Sequence, residues 1–530
     1  MNSSKITKGL FNIIIEESNS EKLTLSWDGD ILEFRNDGTS DCLYLTVNDE
    51  FLKIIEMHEL FAYIITSHRN KIPIYYRYIN NRYYISNSVY CLVCKNDNIK
   101  LDSFSLASTL TNIADPKLYF TNIFKDILLL KSSSTYIIKQ KNISYKTNYY
   151  SQYFNNKNNK NKNDLVELLY IKYENICKKY ENIHLFLSAG YDSRLELALL
   201  INHAKKYKNV IKLHHYSEFG HDHDIVSSIA KDYKLDLVLY NGEALFDRGV
   251  VSFSSDKRVL QYNSGPCQIG LYHTFEALNN IKDSSNDSVF LVNNVGALKG
   301  RYYPQIEKSS LITFMCDLLY VNRENFEKIK SRLNINMNYK DFSMERQSKI
   351  DDILNILEEI KDIYAKFDIS YAMIFHSNLF GKRMHTLMML ENCAFPIDDD
   401  MVWLIFSNLR KEDKIGAKFI KYAIKKVENK LNNYKYISGN YDQISTNNFP
   451  IWLQKPINHS SHYVSKFLNK TKNNRAIKPE FILSSVKNDD VRSMILLDIR
   501  KHILDENLTY ENLTSSLYSL QIFEFLKTLE

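Results

Sequence analysis

Seven cysteines, Cys42, Cys91, Cys94, Cys177, Cys267, Cys316 and Cys393, are scattered through 530 residues. Such an odd, unclustered set excludes a disulfide framework, and a chain of this length needs no covalent staples. A reducing, cytoplasmic compartment is therefore expected. Cys91-Leu-Val-Cys94 has C-x-x-C spacing, but no second pair or histidine cluster accompanies it, so buried thiols are expected there rather than a metal or redox centre. Excess charge of one sign is also missing. Lys+Arg 68 against Asp+Glu 62 leave +6, too little for bulk charge to argue for nucleic acid or membrane. No run approaches the ~20 apolar residues of a membrane-spanning helix. Met1-Asn2-Ser3-Ser4-Lys5 leads only to Ile13-Ile14-Ile15 before Glu16-Glu17, so no secretory leader is expected.

What is present suffices for full-sized cores: 44% of residues are hydrophobic and 13% aromatic, and the length allows about two to four domains. Residues 1–150 hold short aromatic and β-branched runs, Leu23–Trp27, Leu43–Val47, Ile74–Ile79, Tyr83–Ser86 and Ser134–Lys139, separated by turn residues such as Asp28-Gly29-Asp30 and Asn80-Asn81. This predicts a mainly β domain, with helices at about 50–67 and 103–111 from apolar spacing. Residues 151–164 are an Asn/Lys-rich linker by composition. From 165 to 530 the pattern becomes α/β: a helix at 193–205, strand Val210–Ser217, helix Asp224–Tyr233, strand Leu235–Tyr240, an apolar run at Val289–Val292, and mostly helices after 340. Such alternation implies a doubly wound parallel sheet, with a ligand at the carboxyl ends of its strands.

The most informative stretch is residues 183–205. Ile183–Leu187 is an apolar run of strand length; Ser188, Ala189, Gly190, Asp192 and Ser193 follow, and a Leu/Ala-rich segment closes on Lys205-Lys206. Strand, tight loop and helix in that order turn the positive end of a helix toward whatever the loop holds. A phosphate suits such a place; a turn with Ser and Asp as helix caps is the alternative.

Leu187-Ser188-Ala189-Gly190-Tyr191-Asp192-Ser193 resembles the S-G-G-x-D-S pyrophosphate loop of the asparagine synthetase superfamily, which includes β-lactam synthetases and lasso-peptide cyclases, with Ala189 in place of the first glycine. The resemblance extends over about 70–520. Ile72-Pro73-Ile74-Tyr75-Tyr76 and Ile85-Ser86-Asn87-Ser88 are similar to closing segments of the family's N-terminal glutaminase domain, an Ntn-hydrolase α+β fold. That glutaminase requires a cysteine after the initiator Met, whereas Asn2 stands here, so a degenerate domain without glutaminase activity is expected.

By matching position the resemblance implies an ATP-pyrophosphatase domain in which Leu187, Ser188, Ala189, Gly190 and Ser193 hold ATP, with Tyr216 backbone on the adenine side. Asp192 would bind Mg²⁺. Arg194 is added from charge alone, with a solvated helix face as the alternative. Asn293-Asn294-Val295-Gly296-Ala297-Leu298-Lys299-Gly300 is similar to the family's third motif, and Asn294 and Gly296 join the cofactor set, but Leu298-Lys299 occupies the place of its acidic pair. Reversing a charge near phosphate changes a term of about 4 kcal/mol at ~4 Å and an effective dielectric of ~20. The family's catalytic Lys is also missing before Asn448-Phe449-Pro450, leaving Lys299 and then Lys435 as candidates. His214 and His215 are adjacent on a strand, so they point to opposite faces and cannot share one metal.

These motifs imply an ATP- and Mg²⁺-dependent, AMP-forming ligase that joins a small-molecule or peptide carboxylate to an amine, with a partner enzyme or precursor peptide as a further possibility. Ammonia-dependent amidation and a catalytically inactive nucleotide-binding partner are the alternatives. Neither nucleic acid nor membrane is an expected partner.

Overall fold

The computed structural model describes residues 10–17, 22–28, 32–36, 40–47, 50–66, 72–93, most of 102–107 and 124–147, 161–216, 220–240, 287–292 and parts of 311–436, and every structural statement concerns these. The protein is mixed α/β, with antiparallel sheets in its N-terminal part and a parallel sheet further along.

Eleven strands build the N-terminal part: β1 (Asn12–Glu17), β2 (Leu23–Asp28), β3 (Leu32–Asn36), β4 (Asp41–Val47), β5 (Glu50–Met57), β6 (Ala62–Ile65), β7 (Tyr75–Ile79), β8 (Arg82–Ser86), β9 (Leu128–Leu129), β10 (Ser134–Lys139) and β11 (Asn142–Thr147). They form two sheets, β2-β1-β8-β7-β9 and β11-β10-β6-β5-β4-β3. Ile13, Ile15 and Ile85 of the first sheet and Ile55, Ile64 and Ile138 of the second belong to one apolar cluster, so the sheets share a core. Asn80 and Asn81 turn β7 into β8 with φ of 50° and 61°. Two left-handed residues match the strand twist, and Asn tolerates that conformation best after Gly.

The helix expected at 50–67 is instead β5 and β6. Leu43 pairs with Ile55 and Tyr44 with Lys53, which leaves Ile54 as an extra residue in a bulge. Ile54 and Ile55 are consequently both buried. One inserted residue breaks the alternation of a strand, so Phe51, Leu52, Ile54 and Ile55 mimic helical spacing. Of the helix expected at 103–111, residues 103–105 and 107 are helical and the rest lies outside the described residues.

Helix α1 (Lys162–Lys179) begins three residues before the predicted change of pattern at 165. Asn161 caps it: its Oδ1 accepts the Asn163 N–H at 2.7 Å while Asp164 accepts the Asn161 N–H at 2.7 Å. The parallel sheet follows, with β12 (Asn182–Phe186), β13 (Val210–Tyr216), β14 (Asp236–Tyr240), β15 (Ser288–Leu291) and β16 (Cys393–Ala394) in the order β14-β13-β12-β15-β16. Helices α2 (Tyr191–Tyr207) and α3 (Gly220–Tyr233) connect β12 to β13 and β13 to β14.

Strand order runs outward in one direction from β12 through β13 to β14, and β15 lies on the other side of β12. The direction therefore reverses at β12, which makes the crevice beyond its carboxyl end a topological switch point. One face of the sheet, with Ile183, Leu185, Leu213 and Leu291, packs on apolar residues of α1, α2 and α5 (Lys418–Val427). The other carries His184, Phe186, His214, Tyr240 and Phe290, whose rings pack together. Among the described residues no helix is long and apolar enough to cross a membrane.

Candidate functional site

The loop leaving β12 at the switch point is held by its own side chains. Ser193 Oγ accepts the Ser188 N–H at 2.9 Å and lies 3.1 Å from Ser188 Oγ, which in turn accepts the Gly190 N–H at 3.3 Å. Ala189 N–H points to the Asp222 carboxylate, 3.4 Å away on α3. Asn80, Asn81, Lys208, Lys234 and Ala417 are the described non-glycine residues with positive φ, so Ala189 is accommodated without a left-handed backbone. Gly190 has φ −75° and ψ 175° at the N-cap of α2, where it supplies no capping side chain. The N-terminal end of a 17-residue helix thus faces the loop, and Asp192 sits in its first turn, the favoured end for a carboxylate.

Arg194 is neither solvated nor aimed at a ligand. It is fully buried. Its Nη2 donates to Ala189 O at 2.9 Å and Lys435 O at 2.8 Å, and its Nη1 to Tyr434 O at 2.9 Å and Leu431 O at 3.4 Å. The guanidinium also lies 3.8 Å from the centre of the Tyr436 ring, which stacks on Tyr191. Four carbonyls and a π face replace water around the charge, and the loop becomes tied to residues 431–436. The signal was available in the spacing: Leu197, Ala198 and Ile201 follow Arg194 at the intervals of one helical face, and all are buried.

The same contacts bring Lys435 beside the loop through its carbonyl, while its side chain is exposed. Leu187 is buried, its N–H donating to His214 O at 3.0 Å and its carbonyl accepting His215 Nδ1 at 2.9 Å. One carbonyl lone pair is the backbone capacity this leaves at Leu187. Tyr216 ends β13 at the carboxyl edge, in register with Tyr240. Asn294, Gly296 and Lys299 lie outside the described residues.

His214 and His215 do face opposite ways. His214 Nε2 is 2.9 Å from His184 Nδ1 on one side of the sheet, whereas His215 meets the Leu187 carbonyl and stacks on His223 at 5.9 Å on the other. The bond to Leu187 fixes the proton of His215 on Nδ1, so Nε2 presents a lone pair. That Nε2 and His223 Nδ1 are buried with no hydrogen-bond partner among the described residues. Burial holds the His215 pKa below the usual range, opposed by the Leu187 carbonyl and Asp222. Strand register alone could have placed His215 on the side of the loop, since it shares a face with Leu213.

Among the described residues no group of three His, Cys, Asp or Glu is arranged to hold a metal by itself. Cys91 has its thiol pushed up to about 11, chiefly by burial, which opposes the thiolate a redox or metal site needs; Cys94 lies outside the described residues. No protein-family model and no curated protein matches this chain.

Proposed function

We propose that the chain is an asparagine synthetase-like ligase that binds ATP at residues 187–193 and joins a carboxylate to an amine with release of AMP, its N-terminal part being a degenerate glutaminase-like domain. The observation that supports this best is the position of the Ser188-Ala189-Gly190-Tyr191-Asp192-Ser193 loop: it follows the strand at which the sheet order reverses and opens onto a helix N-terminus. Open α/β sheets bind their ligands there.

The residues fit a triphosphate. The first-turn amides of α2 and the hydroxyls of Ser188 and Ser193 are the groups that would hold phosphate oxygens. Exchanging the hydroxyl contacts that close the loop for charge-assisted ones forfeits only about 1 kcal/mol per neutral bond and gains roughly twice that. Asp192 would take Mg²⁺, and Asp222, which touches the Ala189 N–H, would be a second carboxylate where Leu298-Lys299 supplies none. ATP would contribute the activating adenylyl group, and Mg²⁺ would neutralise charge on the departing pyrophosphate. Lys435, carried beside the loop by Arg194, and Lys299 are the cations proposed for stabilising charge at the reacting carboxylate. The amine comes with the substrate or as free ammonia.

A second reading is favoured by one contact. An aspartate on the Ala189 N–H occupies a donor that a phosphate would use, which suits a nucleotide-binding partner without catalysis. ATP–pyrophosphate exchange with candidate carboxylates separates the two.

Calorimetry tests the shared premise. Wild type binds Mg·ATP, and Asp192→Ala binds it about tenfold more weakly, a loss of ~1.4 kcal/mol, with a melting temperature close to wild type. Equal affinities, or no binding by wild type, remove the loop from the mechanism.

A further inference from the structure

A cavity of about 290 Å³ opens where the edge of the N-terminal sheets meets helix α4 (Tyr339–Leu357). That size is at the lower end for small-molecule sites. Its walls come from three places: Leu128 and Leu129 of β9 with Tyr76 of β7, Tyr136, Ile143 and Tyr145 of the β10–β11 hairpin, and Ile353 and Ile356 of α4. Aliphatic side chains from opposite walls suit an apolar body.

The polar groups are nearly all donors. Tyr136 is 6% exposed and its Oη accepts the Lys131 N–H at 2.7 Å, which leaves its own proton for a second acceptor. Burial raises the pKa of both Tyr136 and Tyr76, and both phenols keep their protons at neutral pH. Lys131 and Lys349 add two ammonium groups. Lys131 donates to Tyr145 Oη at 2.6 Å and lies 3.7 Å from Asp352, the carboxylate on the cavity wall. Two cations and three phenols against one carboxylate favour a single negative charge, and Asp352 opposes a dianion such as phosphate.

We infer that this cavity is a binding site for a small monocarboxylate with an aliphatic or aromatic body, the carboxylate among Tyr76, Tyr136 and Lys349 and the body against Leu128, Ile143 and Ile356. It stands independently of nucleotide binding at residues 187–193. Because one wall is α4 and the others are the N-terminal sheets, an occupant bridges the two parts of the chain.

Titration calorimetry on the full chain with octanoate and 4-phenylbutyrate, and with their uncharged primary amides, tests the inference. The carboxylates bind saturably with one site per chain, and the amides bind about tenfold more weakly. Ile356→Glu, which adds a negative charge to a half-buried position on the wall, abolishes carboxylate binding. Tyr76→Phe, on the opposite wall, weakens it by about tenfold and serves if the first variant does not fold. No saturable heat with either carboxylate, amides that bind as well as acids, or affinities unchanged in both variants would overturn the assignment.

Discussion

Acid should destabilise this fold through two histidines. His184 and His214 are 5% and 2% exposed, 2.9 Å apart on the aromatic face of the parallel sheet, and His214 Nδ1 is 2.7 Å from Tyr240 Oη. Burial, aided by Lys212, pulls His184 down to about 4. Burial, His184 and Lys212 pull His214 down to about 3. Both titrate near the ordinary value of 6.5 once unfolded. The unfolded chain therefore takes up protons that the folded chain refuses, so stability is full above about pH 6.5 and is lost as the pH falls from there toward about 4. Each histidine adds a slope of ~1.4 kcal/mol per pH unit in the middle of that window, and the pair roughly 2.7. Set against a typical total of about 5–15 kcal/mol, one pH unit removes a sizeable fraction. Urea unfolding at intervals between pH 7 and pH 4.5 measures this in wild type and in a His184→Gln, His214→Gln double variant, since Gln keeps hydrogen-bonding groups without titrating. Other titrating groups cancel in the difference between the two. The wild-type curve should fall more steeply; parallel curves between pH 6.5 and pH 4.5 would refute the reasoning.

Two further outcomes follow from buried cations. Arg194→Lys should lower stability by roughly 3 kcal/mol in chemical denaturation, because an ammonium cannot span the carbonyls of Ala189, Tyr434 and Lys435; a loss below about 1 kcal/mol would show that the fork geometry is unimportant. Lys414 and Asp368 form an ion pair at 3.2 Å with side chains 4% and 2% exposed. Asp368→Leu alone should lose about 3–5 kcal/mol by leaving the ammonium buried, and adding Lys414→Met should restore most of it; a double variant as unstable as the single one would show that packing, not charge, dominates.

Much of the parallel sheet was legible because its strands are short apolar runs bounded by turns and its helices are long. Its Val210–Ser217 and Asp224–Tyr233 are close to the observed Val210–Tyr216 and Gly220–Tyr233, and in the antiparallel part Ser134–Lys139 matches its observed ends. The 50–67 region was misread because local spacing carries no information about a bulge, which exists only once Leu43 and Tyr44 are paired across the sheet. Of the site, the loop and its helix were readable from small residues at the end of an apolar run. What that loop touches was not. Asp222 and His215 reach it from the next βα unit through contacts that depend on strand order, and Arg194 joins it to residues 431–436, far along the chain.

Strand order also explains why Arg194 matters to any chemistry at this loop. A loop at a switch point is open on one side, because the strands flanking β12 lead away in opposite directions. Small residues alone would leave such a loop free to sample several shapes, and a phosphate site needs its donors held before the ligand arrives. The guanidinium supplies that constraint from below: it fixes the Ala189 carbonyl, and with the same planar fork fixes the carbonyls of Tyr434 and Lys435. Burying an unpaired guanidinium is ordinarily prohibitive. Here the carbonyls left over at the end of the 3-10 turn Asn429–Asn433 and the face of Tyr436 compensate for lost water. The loop and residues 431–436 are thus joined through one side chain, Arg194. The backbone of Lys435 is thereby held beside the loop, and a cation at that place is what the proposed ligase chemistry asks of it.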